Sequence, residues 1–388
     1  MIIWTLTTCT ALIVLAFTLS IAVFRRRIPV LHPAAAPAAT VPLISVIVPA
    51  RNEAEQIERC VRSILALNYP HVQVIAVDDA STDATPQILT RLAQEDARLL
   101  VVTGRPLAKG WTGKNNAVFS GVQHAHGAWL LFVDADVVLH PGALSAAYAE
   151  ARRRGVVLLT LWARQELVTF WERVVQPVII GLNQSTDPFQ WVSSPRFPMF
   201  AYANGQFILV ERAAYEQIDG HTRVRDQVVE DQKLSWHFKH ARHSIVMMDG
   251  TRVLSTRMYT SLTGIWEGWS KNNFLMLDRN FALVLLTLTL ICGITISPFF
   301  LTLWALLVFK SSHSLLDPLI VNLVCCVLVL ATRWQMRSYF PTTFRDCLLY
   351  PLGGAVFIGI VLNSAYRHSQ RRGVTWKGRR YGDADAVG

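Results

Sequence analysis

Short apolar runs, each ending in polar residues, alternate with stretches of helical spacing along the first third of the chain. Leu43–Val48 runs into Pro49, Arg51, Asn52 and Glu53, and Val72–Val77 runs into Asp78 and Asp79. Leu99–Thr103 opens onto a loop with Gly104, Pro106, Gly110 and Gly113, and Trp129–Val133 ends at Asp134 and Asp136. Runs this short and this apolar predict strands covered on both faces. Between them, Ile57, Val61, Ile64 and Leu65 mark a helix over 54–67 that Asn68 and Pro70 stop. Further helices are predicted over 85–95, capped by Ser81 or Thr82, and over about 114–124. Strand and helix alternating at this rhythm predict an α/β fold with a parallel, helix-covered sheet. Its polar strand ends then share the edge where open α/β sheets bind ligands.

Beyond residue 150 the pattern is mixed. Strands are expected at 156–161 and 204–210, and a helix rich in Trp and Val at 170–182. Aromatic residues between Phe189 and Phe200, interrupted by Pro188, Pro195 and Pro198, suit an apolar ligand, a core or a membrane interface equally. Glu230 and Asp231 stand where a helix begins, ahead of Leu234, Trp236 and Phe238. At the two ends the chain becomes apolar: 2–24 is uncharged and long enough to cross a bilayer, and apolar stretches recur at 281–309, 315–331 and 347–366. The resulting division is an anchor at 1–27, a Pro/Ala linker at 28–42 and an α/β domain at 43–255. An interfacial segment at 256–280, a transmembrane region of three or four segments at 281–366 and a basic tail at 367–388 follow.

Composition agrees with that division. Of 388 residues, 52% are hydrophobic and only 16% charged, well below the quarter or so usual in soluble proteins. The formal net charge is +10, and basic residues cluster beside the apolar ends, at Arg25–Arg27 and from Arg367 to Arg380. Such clusters predict a cell-membrane, multi-pass protein with the α/β domain in the cytosol. No helix-turn-helix, zinc-finger or RNP pattern accompanies the charge, so nucleic acid is not an expected partner. If 281–309 crosses once, the basic tail ends outside; if Pro298 lets it turn back or lie partly in the interface, the tail returns to the cytosol, the favoured side. The six cysteines form no CxxC or Cys/His cluster, leaving neither a disulfide framework nor a zinc site.

The chemistry is carried by acidic pairs. In an extended segment Asp134 and Asp136 point the same way, and two such carboxylates repel unless a cation or donors satisfy them. A divalent metal that also carries a phosphate-bearing ligand meets that need. The plainer alternative is a solvated pair ahead of the helix after Gly142. For Glu230 and Asp231 the alternatives are charges favoured by the helix dipole and a general base. Both GxGxxG and GxxxxGK[ST] are missing after the first strand, which weakens dinucleotide and NTPase readings.

Taken in order, Val48–Glu53, Val77–Asp83, Gly113–Ala117, Asp134-Ala135-Asp136 and Glu230-Asp231 resemble an inverting family 2 glycosyltransferase of the GT-A fold. The flanking apolar segments look like membrane-embedded members related to ceramide glucosyltransferase-like and carotenoid- or hopanoid-associated enzymes. The resemblance implies that Pro49 and Glu53 line the base and ribose pocket, that Asp79 bonds a uracil-type base, and that Lys114 lies near the nucleotide. It implies further that Asp134 faces the ribose or metal, that Asp136 binds the divalent cation (Mg²⁺ or Mn²⁺), and that Asp231, beside Glu230, is the catalytic base. The expected activity is transfer of a single sugar from a nucleotide-diphosphate sugar, most simply a UDP-sugar, to a lipid hydroxyl. A polysaccharide or polyprenyl-phosphate sugar synthase of the same fold is the first rival, and a non-catalytic nucleotide-binding scaffold or transporter the second. The sequence departs from processive synthases in one respect: its one Arg-Trp pair, Arg333-Trp334, follows two apolar spans and lacks the rest of the Q/RxxRW motif. Arg257, Trp269 and Lys271 are candidates either for closing the site over a diphosphate or for an interfacial belt.

Overall fold

The computed structural model describes residues 2–38, 40–186, 191–194, 197, 199–308, 315–369, 374–376 and 379–381. Pro188, Phe189, Pro195, Pro198 and most of the basic tail lie outside the described residues. Two compact units are formed, one from Ile28–Gln165 with Pro188–Met258, the other from Met1–Arg27, Glu166–Asp187 and Tyr259–Gly388.

The first unit is built on ten strands: β1 (Ile44–Ala50), β2 (Val72–Asp78), β3 (Leu99–Thr103), β4 (Trp129–Phe132), β5 (Val137–Leu139), β6 (Leu158–Trp162), β7 (Arg164–Gln165), β8 (Ile208–Glu211), β9 (Ile245–Asp249) and β10 (Leu254–Thr256). The main sheet runs β3-β2-β1-β4-β8-β6-β9, and a small second sheet runs β5-β10-β7. The first four strands of the main sheet are mutually parallel. Only β8 is reversed, antiparallel to both β4 and β6, while β6 and β9 are parallel. That single reversal has a consequence for the site. The loop entering β8 emerges on the same edge as the loops leaving β1, β2, β3 and β4.

Helices cover both faces of this sheet. On one, Ile57, Cys60, Val61 and Ile64 of helix Ile57–Leu65 are buried in the cluster that holds Val46, Val48, Val74 and Ala76. On the other, helix Gly113–Val122 lies so close that a Cβ on Gly121 would come within 2.7 Å of Ile47 Cγ2 and 2.9 Å of Val77 Cγ2. Helix Ala143–Arg154 ends at Gly155, whose φ of 62° suits a residue without a side chain. The expected linker is irregular but docked: Leu31 N–H donates to Asp249 O at 2.8 Å, and Asn68 Nδ2 donates to Ala34 O at 2.9 Å.

In the second unit, helices Ile2–Arg27, Phe281–Val308 and Leu316–Ser338 are long and apolar enough to cross a membrane. The apolar stretch 347–366 is divided between helices Phe344–Leu348 and Tyr350–Ser369, outside that set. Of the two courses open at Pro298, the chain takes the continuous one. Phe281–Val308 continues as helix, with a π-turn over Cys292–Ile296 immediately before the proline segment. A π-turn widens the ladder, which lets a residue without an N–H be absorbed while the helix continues. Helix Phe170–Thr186 packs in this unit, against Tyr350–Ser369 and Ile2–Arg27.

Candidate active site

The loops leaving β1 and β2 are bound to each other. Arg51 Nη1 donates to the carbonyls of Asp79 and Ala80 at 2.5 and 2.9 Å, and Thr82 N–H donates to Asn52 Oδ1 at 2.8 Å. Glu53 N–H donates to Thr85 Oγ1, and Ala54 N–H to Asp83 Oδ2. Asn52 and Ala80 both adopt positive φ, 51° and 54°, so the chain turns sharply at each strand end. Asp79 is buried in this junction.

After β4 the backbone departs from the expected extended form. Val137 N–H donates to Asp134 O, closing a turn over 134–137. The i, i+2 argument for a shared direction therefore does not hold for Asp134 and Asp136, because a short apolar strand followed directly by β5 of the second sheet forces the chain to turn. Asp136 receives Arg257 N–H on its carbonyl at 3.3 Å. Asp134 enters a cleft with Pro49 from the end of β1 and Lys114. The far wall is made by Gly205, His221, Glu230 and Asp231. Glu53, Asp79 and Asp136 stand outside that lining, at the neighbouring strand ends. Asp136, Glu53 and Asp134 nevertheless act together on the Cys60 thiol, which burial first and these charges second push upward.

Lys114 is the centre of the cleft's charge. Its Nζ lies 2.7 Å from Asp134 Oδ1 and 2.8 Å from Glu230 Oε1. Burial alone would lower this ammonium, but Asp134, Glu230 and Asp231 outweigh it and hold it well above its ordinary value. Asp231 accepts from the backbone N–H of Gly205 and of Gln232, each at 2.8 Å. Burial, then the charge of Glu230, pushes its carboxyl up to about 7, against the pull of Lys114 and of the two N–H groups. Gly205 is needed for this approach: a Cβ there would fall 2.9 Å from Lys114 Nζ and 3.4 Å from both Asp134 Oδ2 and Asp231 Oδ2.

Asn115 aligns the two halves of the cleft. Thr112 caps helix Gly113–Val122 and also donates its N–H to Arg225 O at 2.7 Å. Fully buried, Asn115 donates Nδ2 to the carbonyls of Val224, Arg225 and Gln227 at 2.6, 3.2 and 2.9 Å. The loop that delivers Glu230 and Asp231 is thus fastened to the residue next to Lys114. The motif Gly113–Ala117 drew attention to Lys114 but not to this role. Gly205 and His221 were also missed. The apolar run after Asn204 hid a turn, closed by Phe207 N–H on Asn204 O, ahead of a strand that begins only at Ile208.

Among the described residues no group of three His, Cys, Asp or Glu side chains is gathered to hold a metal ion. What the cleft assembles is one cation among carboxylates, one of which is raised into the range of a base active near neutrality.

Residues 45–216 match the family model described as Glycosyl transferase family 2. That segment is a glycosyl transferase family 2 domain. The match ends before Glu230 and Asp231 of the cleft. A 4,4'-diaponeurosporenoate glycosyltransferase of Staphylococcus haemolyticus is 26% identical over 234 residues, covering 59% of this chain and 60% of the relative. The same-named protein of Staphylococcus aureus (strain USA300) is 26% identical over 236 residues, again covering 59% and 60%. The chain thus spans about 60% of the length of these curated relatives. Among solved structures, a mannosyltransferase from Pyrobaculum calidifontis in complex with GDP-Man and Mn²⁺ aligns with a TM-score of 0.52 at 17% identity, covering 94% of this chain and 97% of that one. The family 2 domain therefore has the α/β, GT-A architecture with candidate membrane helices flanking it.

Proposed function

We propose that the protein moves one sugar from a nucleoside-diphosphate sugar, a UDP-sugar being the first to test, to a hydroxyl of a lipid-like acceptor, with inversion at the anomeric carbon. The observation that carries the reading is Asp231: a carboxylate held by the N–H groups of Gly205 and Gln232, raised by burial and Glu230, in a cleft that the segment matching family 2 also lines. A base is most effective when its pKa lies near the working pH. Asp231 takes the proton of the acceptor hydroxyl as that oxygen bonds to the anomeric carbon. The bond from that carbon to the diphosphate oxygen breaks, and the nucleoside diphosphate leaves with the electron pair. Direct displacement inverts the configuration. Lys114, positive and held by Asp134 and Glu230, sets the charge that Asp231 meets. Glu53, Pro49 and Asp79, at the ends of β1 and β2, are proposed to hold the nucleoside. The relatives' printed name, with its polyene acid, supports a lipid-like acceptor, and the three apolar helices support a membrane setting.

A divalent cation fits this site in one form. The protein offers two carboxylates at the end of β4: Asp134, which lines the cleft, and Asp136, which stands just outside it. Such a set suits Mg²⁺ or Mn²⁺, which take one or two carboxylates and fill the remaining positions from phosphates and water. When bound, the cation supplies charge that offsets the departing diphosphate.

The test is to incubate membranes containing the full chain with labelled nucleotide sugars and total lipid extract, with and without EDTA. Label in a single-sugar lipid product, lost with EDTA and restored by Mg²⁺ or Mn²⁺, is expected. Label confined to polymer or polyprenyl phosphate would replace this acceptor class by its first rival, and no incorporation from any donor would overturn the reading.

A further inference from the structure

The reaction as described leaves one group of the cleft unused. His221 is 4% exposed, lines the cleft, and packs its ring edge-on against Phe132 with centroids 4.9 Å apart. Its backbone N–H donates to the Tyr215 hydroxyl oxygen at 2.9 Å, and its Nδ1 lies 2.8 Å from the same hydroxyl. A backbone N–H only donates, so the hydroxyl oxygen accepts in that bond. The oxygen has a second lone pair, but among the described residues Nδ1 is the one acceptor found for the hydroxyl's own hydrogen. Nδ1 is thereby assigned as acceptor and the ring hydrogen to Nε2, with Tyr215 selecting the tautomer. The backbone is built for this contact: Gly220, at φ 44°, lies where any Cβ would enter the Tyr215 ring.

Among the described residues no hydrogen bond is made by Nε2. Burial, and then the charge of Lys114, lowers the imidazole to about 3, so the ring is neutral at any working pH. His221 therefore adds an uncharged ring to a lining that also holds Lys114, Asp134, Glu230 and Asp231. A hydroxyl group suits such a wall, since it offers oxygen to the imidazole and hydrogen to a carboxylate. A phosphate oxygen gains no positive charge from this neutral ring and is better met by Lys114.

We propose that His221 reads the sugar of the donor, its Nε2–H donating to a sugar hydroxyl oxygen inside the cleft, with Tyr215 as the residue that positions it. The proposal rests on the glycosyltransferase reading and adds a binding residue for the transferred group.

Equilibrium binding to the purified full chain in detergent tests it. Two ligands are compared, a nucleoside diphosphate and the nucleotide sugar that supports transfer. Two variants separate the ring's two bonds. In His221→Asn the amide oxygen replaces Nδ1 against Tyr215 but nothing reaches the position of Nε2. In His221→Gln an N–H reaches that position. The asparagine variant is expected to bind the nucleotide sugar about tenfold more weakly, the worth of roughly one neutral hydrogen bond, and the bare diphosphate as the wild type does. The glutamine variant is expected to recover most of the loss. The His221 ¹⁵N resonances are expected to report the Nε2–H tautomer from about pH 5 to 8. Equal affinity of wild type and asparagine variant for the nucleotide sugar, or equal weakening toward both ligands, overturns the proposal while leaving the transferase intact. A wild type that binds no nucleotide sugar overturns both.

Discussion

Lys114 Nζ lies 2.7 Å from Asp134 Oδ1, so the first aspartate of the Asp134-Ala135-Asp136 motif has a cation supplied by its own chain. The same ammonium acts on Asp231, whose carboxyl it pulls downward. Transfer in the wild type is expected to rise with pH through about 7, because the base works only when deprotonated. Lys114→Met removes the downward pull, so the rising limb should move to higher pH and turnover at pH 7 should fall by about fivefold for the first unit moved. A pH–rate profile of the two proteins checks this. An unmoved limb would separate Lys114 from the base.

Glu230→Gln should do the reverse. The charge of Glu230 raises the Asp231 carboxyl, so its removal lowers the pKa and moves the limb toward acid. The two substitutions thus shift one profile in opposite directions, an outcome that general damage to the fold does not produce.

Asn115→Ala is expected to destabilise the protein by about 2 kcal/mol, since the carbonyls of Val224 and Gln227 lose this donor and Arg225 O keeps only Thr112 N–H. Asn115→Asp should be worse, because it sets a carboxylate against the same carbonyls. Denaturant unfolding ranks the two, and an aspartate variant as stable as wild type would contradict the geometry.

Lys239 is buried, and its ammonium lies within 3.3 Å of the carbonyls of Trp191, Val192, Phe197 and Phe200. Lys239→Met keeps the length of the side chain and removes its donors. A loss of about 2–3 kcal/mol is expected, together with faster proteolysis between residues 188 and 200. Unchanged proteolysis would show that the ammonium does not hold this segment.

Much of the first unit was legible because its strands are buried on both faces. Helix 85–95 and strand Leu99–Thr103 were read with the bounds the structure has, and the shared polar edge followed from the parallel rhythm. The second sheet was not legible: β5, β7 and β10 are only two or three residues long, too short for any period. Strand β9 was overlooked although Ile245–Met248 is a continuous apolar run. In the site, Lys114, Asp134, Glu230 and Asp231 were legible as charges in motifs, and they meet in one cleft. Gly205, Asn115 and His221 were not, since each matters through a long-range contact: a backbone N–H on Asp231, amide bonds to a loop more than a hundred residues away, and a ring set by Tyr215. The motif Asp134-Ala135-Asp136 was read correctly as a strand end and wrongly as extended. A turn hydrogen bond, invisible in composition, decides that point.

The most direct test compares Asp231→Asn with wild type in a single-turnover assay, with donor binding measured on the same preparations. The asparagine keeps an oxygen for Gly205 N–H or Gln232 N–H but has no basic carboxylate. Binding of the nucleotide sugar within about threefold of wild type is expected, with transfer reduced by at least about a hundredfold, the usual worth of a positioned base. Transfer at the wild-type rate by this variant would contradict the assignment of Asp231 and, with it, the chemistry proposed for the cleft.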